Sequence, residues 1–290
     1  MSNTVQVNYW TIGGFEGKKP PEQAITEAKE MGYGGIELCF DGAKFGPGIG
    51  DGDCVKIKEA AAAAGMKIET LASGTYWAKS LGSPDDAERA EAVAYTKEYL
   101  KVAKLVGASV VLVIPGAVAV PWDDSRPVVP YQTVWDKATE SIKELVPAAE
   151  EAGVAMGMEN VWNWFLADPM AMKTFVDQFG SDKVGVYFDV GNCQINGYAE
   201  HWIEILGARI KAVHLKNFNR DDCGGVLHGF GDDIMTGAVN WDAVKAALKT
   251  VGYQGALTAE MVPFSRLPDL VLPDMALAKD TAEKLNKLFA

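Results

Sequence analysis

The sequence has only three histidines and four cysteines in 290 residues, and it has no CxxC pair. Zinc sites built from thiolates or from clusters of histidines therefore lack their usual ligands. We expect reduced thiols of a cytoplasmic protein, without a metal or redox role, at the four scattered positions Cys39, Cys54, Cys193 and Cys223.

Long apolar runs and clusters of basic residues are also missing. No stretch has the roughly 20 consecutive apolar residues of a membrane span. The first residues, MSNTVQVNYW, lack the basic and apolar regions of a secretory signal. The formal net charge is −12, so binding to nucleic acid would gain nothing from counterion release. We therefore expect neither nucleic acid nor a membrane as a partner.

Glycines and prolines separate eight strand candidates from eight helical segments. The strand candidates are residues 5–12, 35–40, 67–73, 109–114, 154–161, 184–190, 210–217 and 255–262. This alternation predicts an α/β fold, a (β/α)8 TIM barrel that forms a single domain over residues 1–290. The longest helix should begin at Ser83-Pro84, with proline in its first position, and end near Gly107. A doubly wound sheet is the alternative, but residues 46–53 (GPGIGDGD) lack its GxGxxG spacing.

Four consecutive strand candidates end in residue types that bind metals. These residues are Glu159, Asp189, His214 and Glu260. The positions two residues earlier share their face of each strand, and they are Gly157, Tyr187, Ala212 and Thr258. Three of those are small, which is typical of the crowded inside of a barrel. Functional groups of such barrels gather at the carboxyl ends of the strands, so one shared ion is the simplest common cause.

Three carboxylates and one imidazole form an oxygen-dominated ligand set. Such a set favours a hard or borderline divalent ion such as Mn²⁺, Mg²⁺ or Co²⁺ over the zinc sites built from thiolates. Four protein ligands leave room for two adjacent oxygens of a substrate, as in a hydroxy-ketone. The metal would acidify the C–H bond beside the carbonyl, and Glu159 and Glu260 are the candidate acid–base pair. A single buried carboxylate is more often structural, but four together predict a metal site.

The motifs around these ligands resemble the xylose isomerase-like sugar phosphate isomerase/epimerase superfamily. They are residues 158–160 (MEN), 187–192 (YFDVGN), 213–217 (VHLKN) and 258–261 (TAEM). The resemblance covers nearly the whole chain, and ketose 3-epimerases of the tagatose/psicose type and hexulose-phosphate isomerases are the nearest likenesses. It implies a divalent ion, commonly manganese, on Glu159, Asp189, His214 and Glu260, with proton transfer through the two glutamates.

The resemblance is partial beyond the ligands. The epimerase pattern has an arginine six residues after the histidine ligand, which Arg220 matches. It has a histidine three residues after the aspartate ligand, where this chain has Asn192. It has a glutamate six residues after the first ligand, where this chain has Phe165. These departures concern the sugar and the choice of epimerisation, and they leave the metal ligands intact.

Several residues are candidate substrate contacts, namely Arg220, Lys216, Asn192, His228, Glu37 and Trp162. Lys216 shares the face of His214, and a salt bridge to a nearby carboxylate is an equal alternative. Glu37 has either a supporting or substrate role at the barrel mouth or a buried structural one. Trp162, with Trp10 and Trp164, is a candidate wall for a sugar or ordinary core. His228 lies in a glycine-rich loop from which it would reach the substrate.

Three functions compete. The first is a divalent-metal-dependent isomerase or epimerase that moves a proton of a ketose or ketose phosphate through an enediolate. The second is a dehydratase or lyase that expels a β-substituent from a keto-sugar or keto-glycoside in the same pocket. The third is a non-catalytic barrel that depends on a partner. Assembly into a homo-oligomer is possible for each of the three. Since no glycine-rich loop opens onto a helix after strand seven, an unphosphorylated sugar or glycoside is favoured.

Overall fold

Eight parallel strands close into a barrel in chain order in the computed structural model, which describes residues 3–223 and 227–290. Each strand pairs with its neighbours in the chain, and the first pairs with the last. The strands are β1 (Thr4–Asn8), β2 (Gly35–Cys39), β3 (Thr70–Ala72), β4 (Val110–Val113), β5 (Ala155–Glu159), β6 (Val184–Asp189), β7 (Ile210–Leu215) and β8 (Ala256–Ala259). The predicted (β/α)8 TIM barrel is confirmed.

Nine α-helices lie between the strands or after the last strand in the described residues, and eight of them are the predicted ones. They are α1 (Tyr9–Gly13), α2 (Pro21–Glu30), α3 (Asp51–Ala63), α4 (Asp86–Val106), α5 (Tyr131–Ala152), α6 (Pro169–Asp177), α7 (Ala199–Leu206), α8 (Trp241–Thr250) and α9 (Met275–Leu288). Within residues 3–223 and 227–290, none of these helices has both the length and the apolar composition needed to cross a membrane.

The first strand is shorter than predicted, because helix α1 takes the second half of residues 5–12. Asn8 ends β1, and its side-chain oxygen accepts a hydrogen bond from the backbone N–H of Trp10 at 2.8 Å. This is the cap of a helix N-terminus, which sets the local structure although the apolar residues there also fit a strand. Trp10 is therefore carried by a helical turn at the carboxyl end of β1.

The start of α4 also differs from the prediction. Pro84 is not the first helical residue, because Asp85 caps the helix and accepts hydrogen bonds from the N–H groups of Ala87 and Glu88 at 2.7 and 3.2 Å. A carboxylate that satisfies two free N–H groups decides the helix start more strongly than the preference for proline there. The longest helix is α5, with 22 residues against 21 in α4.

The barrel interior below the carboxyl ends contains buried polar side chains. The amide of Gln6 donates to the hydroxyls of Thr70 and Thr258 at 2.7 and 2.8 Å. A side chain at Gly157 would put its Cβ only 2.9 Å from the Cβ of Tyr187, so the glycine makes room for the large ring. Hydrogen bonds between polar groups in a low-dielectric interior fix the positions of these side chains. They lie directly below the residues at the carboxyl ends of the strands.

Candidate metal centre

Four potential ligands meet at the carboxyl ends of four adjacent strands. Glu159 and Asp189 are the last residues of β5 and β6, His214 lies one residue before the end of β7, and Glu260 directly follows β8. Strand pairing sets Asp189 beside His214. One donor atom from each of the four residues lies within 4.8 Å of the others, and all four residues are buried. The structure thus brings together the four residues that the sequence indicates.

The imidazole of His214 turns one nitrogen towards all three carboxylates. Its Nδ1 lies 3.3 Å from Glu159 Oε1, 3.1 Å from Glu260 Oε2 and 3.9 Å from Asp189 Oδ2. Burial by itself lowers the pKa of His214, but the surrounding carboxylates outweigh it and raise this pKa well above its ordinary value. A divalent ion competes with the proton for the same lone pair, so metal binding would release that proton.

Asp189 is fixed through one of its carboxylate oxygens. Its Oδ1 accepts hydrogen bonds from the backbone N–H groups of Gly191 and Asn192, both at 2.8 Å. The amide of Asn160 bonds the backbone N–H and carbonyl of Asp189 at 2.8 and 2.9 Å. Among the described residues, Asp189 Oδ2 and Glu260 Oε2 are buried and have no hydrogen-bond partner. Buried carboxylate oxygens that converge with an imidazole nitrogen are donors that a divalent ion takes, so the four residues fit such an ion.

Glu37 on β2 supports the ligand histidine from below. Its Oε1 lies 2.7 Å from His214 Nε2 and accepts a hydrogen bond from Asn8 at 2.7 Å, and its Oε2 accepts one from Thr70 at 2.7 Å. The hydroxyl of Tyr187 donates to the same Oε2. Burial raises the pKa of Glu37, but the charge of His214 and these hydrogen bonds outweigh it, so the pKa is lowered. A carboxylate behind a ligand histidine orients the ring and makes it a better ligand.

Lys216 lies against two of the ligands. Its Nζ is 2.9 Å from Asp189 Oδ2 and 2.6 Å from Glu260 Oε2. These are the distances of contact ion pairs, so the ammonium of Lys216 lies directly against one oxygen of each carboxylate. Burial lowers the pKa of Lys216, but the three carboxylates around it outweigh this effect and raise the pKa. Lys216 is therefore a permanent positive charge beside the centre.

The pKa values of the two glutamates are shifted in opposite directions. Burial is the largest effect on Glu159, which His214 partly offsets, and the pKa of Glu159 is raised to about 7. Burial acts in the same direction on Glu260, but the charges of Lys216 and His214 outweigh it and lower its pKa to about 2. Neighbouring carboxyl groups whose environments separate their pKa values are typical of acid–base pairs.

A cavity of about 570 Å³ opens above the ligands, and we call it the metal cavity. Glu159 and Glu260 line it and are each 7% exposed, whereas Asp189 and His214 are 0% exposed beneath them. Much of its wall is aromatic, with Trp10, Phe15, Trp77, Trp122, Trp162 and Phe230. The two glutamates are thus the ligands that a molecule in the cavity would touch.

The predicted substrate contacts lie in three different places. Lys216 lines the metal cavity, as do Asn192, Trp162 and Trp10. A neighbouring cavity is lined by His228 and Trp164. Neither cavity is lined by Glu37, whose contacts favour the support of His214 over a substrate contact.

Arg220 is not brought to either cavity, although its spacing from His214 matches the epimerase pattern. Its guanidinium donates to the backbone carbonyls of Gln194 and Gly197, both at 2.6 Å. It also stacks over the ring of Tyr198, with its Cζ 4.7 Å from the ring centre. These contacts hold the segment after β6 in place, and a substrate contact of Arg220 stays a prediction.

Phe165 replaces the glutamate of the epimerase pattern with a core residue. Its ring is 1% exposed and lies 5.2, 6.2 and 5.7 Å from the rings of Tyr131, Trp135 and Phe175. Asn192, at the position of the pattern's histidine, donates from its side chain to the carbonyl of Asn160 at 3.0 Å. Neither position supplies a charged group to the metal cavity.

The sequence analysis did not identify two polar residues of the metal cavity. Asp41 and Ser73 line it, and each comes one or two residues after the end of a strand, β2 or β3. Their place at the carboxyl ends of strands is the signal that could have identified them. Burial raises the pKa of Asp41, and the backbone N–H of Gly74, which donates to its Oδ2 at 2.6 Å, partly offsets this.

A family model described as "xylose isomerase-like TIM barrel" matches residues 25–288. The chain belongs to this family. The sequence resemblance to the family is therefore confirmed.

Two curated relatives match this family member over different shares of its length. The D-psicose 3-epimerase of Ruminiclostridium cellulolyticum is 24% identical over 286 residues, which are 97% of this chain and 89% of that protein. An uncharacterized protein of Methanocaldococcus jannaschii is 27% identical over 160 residues, which are 52% of this chain and 50% of that protein. The second match therefore spans about half the length of each protein.

Among solved structures, this family member is similar to the D-psicose 3-epimerase of Clostridium cellulolyticum H10 crystallised with D-tagatose. The TM-score is 0.79 at 18% identity, and the match covers 99% of both chains. This likeness extends the agreement in fold to the full length of the barrel. The prediction of an isomerase or epimerase agrees with what these characterised proteins are.

Proposed function

We propose that this xylose isomerase-like barrel is a divalent-metal-dependent epimerase or isomerase of an unphosphorylated keto-sugar. One observation carries the proposal: of the four buried ligands, only Glu159 and Glu260 line the metal cavity. They come from strand ends separated by two other strands, so they can approach a bound substrate from different sides. Two carboxylates placed in this way suit the removal of a proton from one carbon and its return.

Glu159, Asp189, His214 and Glu260 would hold the ion, with Mn²⁺ as the first candidate and Mg²⁺ or Co²⁺ as alternatives. When bound, the ion would act as a Lewis acid that makes the C–H bond beside a carbonyl more acidic.

The protein's own groups would do the rest of the chemistry. One glutamate takes the proton from the carbon beside the carbonyl, which gives the enediolate. The other returns a proton to the opposite face for epimerisation, or a proton goes to the neighbouring carbon for isomerisation. The aromatic wall would exclude water from the reacting carbon and stack on the sugar.

The charges around the metal cavity favour a substrate without phosphate. Its charged lining residues in the described chain are three carboxylates and one ammonium: Asp41, Glu159, Glu260 and Lys216. The ammonium is already paired with two carboxylates, and Arg220 is bound to backbone carbonyls. A phosphate would therefore meet no unpaired protein cation at this wall, and it would approach a chain whose formal net charge is −12.

The test is proton NMR of a panel of unphosphorylated ketoses with the Mn²⁺-loaded protein in deuterated water. We expect deuterium to enter at one carbon beside the carbonyl while the epimer or isomer accumulates. The matched control is His214→Ala, which removes one potential ligand of the ion without changing either glutamate and should abolish exchange. Release of a substituent in place of an epimer would show a lyase, and no exchange with any ketose would refute the proposal.

A further inference from the structure

A second cavity, of about 540 Å³, adjoins the metal cavity. The two share wall residues, among them Trp122, Trp162 and Asn192. Ligand sites commonly occupy about 300–1,000 Å³, so the metal cavity alone has the volume of a complete site. The second cavity is therefore additional room that borders the metal cavity along these shared residues.

The lining of the second cavity is apolar and uncharged. It includes Trp122, Trp162, Trp164, Trp202 and Ile195, and no Asp, Glu, Lys or Arg is among its described lining residues. Its polar members are largely occupied. The side-chain amides of Asn192 and Asn196 donate to the backbone carbonyls of Asn160 and Ala167 at 3.0 and 2.8 Å. Such a wall suits a flat apolar group rather than a phosphate or a strongly hydroxylated one.

The loop that carries Trp164 is held in an unusual conformation. Trp164 and Leu166 have φ angles of 57° and 53°, in the left-handed region that residues other than glycine seldom adopt. Buried Asn163 fixes this loop, since its amide donates to the carbonyl of Gly116 at 2.7 Å and accepts from the N–H of Phe165 at 3.0 Å. The indole of Trp164 is 59% exposed despite this anchoring. Strain maintained to present an exposed aromatic ring is typical of a ligand contact.

We propose that the second cavity binds the apolar, aromatic aglycone of a glycoside whose keto-sugar ring occupies the metal cavity. This inference rests on the proposed function and names its substrate class. In a glycoside of an ordinary 2-ketose, the carbonyl carbon is the anomeric carbon that carries the aglycone, so no carbonyl remains to form an enediolate. The ketone must therefore lie at another ring carbon, beside a carbon that bears a hydroxyl and the acidified hydrogen.

The reaction would leave the aglycone bond intact. One glutamate takes the hydrogen beside the ring ketone as a proton, and a proton then returns to the opposite face of the same carbon. No oxidant or reductant is needed, because the ring ketone is present in the substrate and in the product. Binding of the aglycone would fix which ring carbon lies beside Glu159 and Glu260.

The experiment compares two ring-oxidised glucosides that differ only in the aglycone, methyl and 4-nitrophenyl 3-keto-β-D-glucopyranoside. With Mn²⁺-loaded protein in deuterated water, kcat/KM for exchange should be roughly tenfold higher for the nitrophenyl compound, the amount that one good aromatic contact supplies. In Trp164→Ala this ratio should fall towards one, and Trp164→Phe should retain most of it. Met170→Ala, an equally exposed apolar residue that lines neither cavity, should keep the full ratio.

A second measurement separates this inference from the proposed function. Unoxidised 4-nitrophenyl β-D-glucopyranoside cannot react, but it quenches tryptophan fluorescence where it binds. Saturable quenching that weakens in Trp164→Ala and not in Met170→Ala supports the subsite even if no keto-sugar exchanges. Equal kcat/KM for the two glucosides, or quenching that does not saturate, overturns the subsite whether or not free ketoses are turned over.

Discussion

His214 Nε2 and Glu37 Oε1 lie 2.7 Å apart, and both side chains are fully buried. The contact crosses the barrel interior, since Glu37 is on β2 and His214 on β7. It fixes the imidazole with Nδ1 towards the three carboxylates, and it assigns the hydrogen of the neutral ring to Nε2. The metal centre therefore depends on a residue that cannot itself touch the ion.

The first prediction concerns this support. Glu37→Gln keeps the shape of the side chain but removes its charge, so Mn²⁺ affinity should fall by about 10–100-fold. Isothermal titration with Mn²⁺ measures this change. Glu69→Gln, at the amino end of β3, removes a carboxylate at the other end of the barrel and should leave the affinity unchanged. Unaltered affinity in Glu37→Gln would mean that the contact does not support the ligand.

The second prediction concerns the two glutamates that line the metal cavity. Replacing Glu159 or Glu260 by Gln leaves an oxygen for the metal but removes the proton acceptor. Each variant should retain bound metal and lose about 10²–10⁴ in rate. In an epimerase whose two glutamates act on opposite faces of the substrate carbon, the two variants should also differ from each other. One of them should still exchange the substrate hydrogen with deuterated water without inverting the carbon. Near-wild-type turnover by both variants would exclude the glutamates from the mechanism.

The third prediction concerns phosphate. The carboxylates of the metal cavity should make kcat/KM for a ketose at least about tenfold higher than for its phosphate at low ionic strength. The difference should shrink as salt is added, because salt screens the repulsion. Asp41→Asn, which removes one of these charges, should also reduce it. A preference for the phosphate would contradict the electrostatic reasoning.

The fourth prediction concerns the stability of the segment that connects β3 to α4. Oε1 of Glu88 accepts hydrogen bonds from the backbone of Ser80 at 2.8 Å and from Arg126 at 2.5 Å, and Oε2 accepts one from Ser83 at 3.0 Å. Burial raises the pKa of Glu88, but these contacts outweigh it and lower the pKa. A lowered pKa in the folded state contributes stability above the unfolded value of about 4.3, and this contribution is lost as the pH falls through the folded value.

Glu88→Gln should therefore lower the free energy of unfolding by about 1 kcal/mol at neutral pH. The deficit should be smaller at pH 3, which lies below the unfolded-state pKa of about 4.3, because the stabilising charge is lost progressively as the pH falls. Urea unfolding at both pH values measures the difference. The control is Glu91→Gln, which breaks an exposed ion pair with Lys79 and should change stability by only a few tenths of a kcal/mol. An equal deficit at both pH values would mean that the charge of Glu88 is irrelevant.

The ligand set was readable from the sequence because its signals are local. Each of the four residues ends a short apolar run, and parallel strands of a closed barrel bring such ends together. The support of His214 by Glu37 was not readable in the same way, since the two residues are 177 positions apart and no periodicity links them. The sequence left both a supporting and a structural role open for Glu37, and only contacts decide between them.

Arg220 illustrates the opposite case, in which spacing along the chain predicts a substrate contact at a residue that lines neither cavity. Its distance from His214 along the chain fits the epimerase pattern, but the carbonyls of Gln194 and Gly197 bind its guanidinium first. Sequence spacing does not reveal which acceptors compete for a side chain. The helix starts at Tyr9 and Asp86 were missed for a similar reason, because a side-chain cap decides between two backbone conformations that the apolar pattern permits equally.

The metal ligands all come from β5 to β8, whereas Trp10, Asp41, Ser73 and Trp77 follow β1 to β3. One half of the barrel thus holds the four potential metal ligands, and the other half contributes much of the wall of the metal cavity. A new sugar preference can therefore be sought by randomising the loops after the first three strands, or by exchanging that half with one from a related barrel. Such an exchange must retain Glu37, because its contact with His214 holds a ligand of the other half in place.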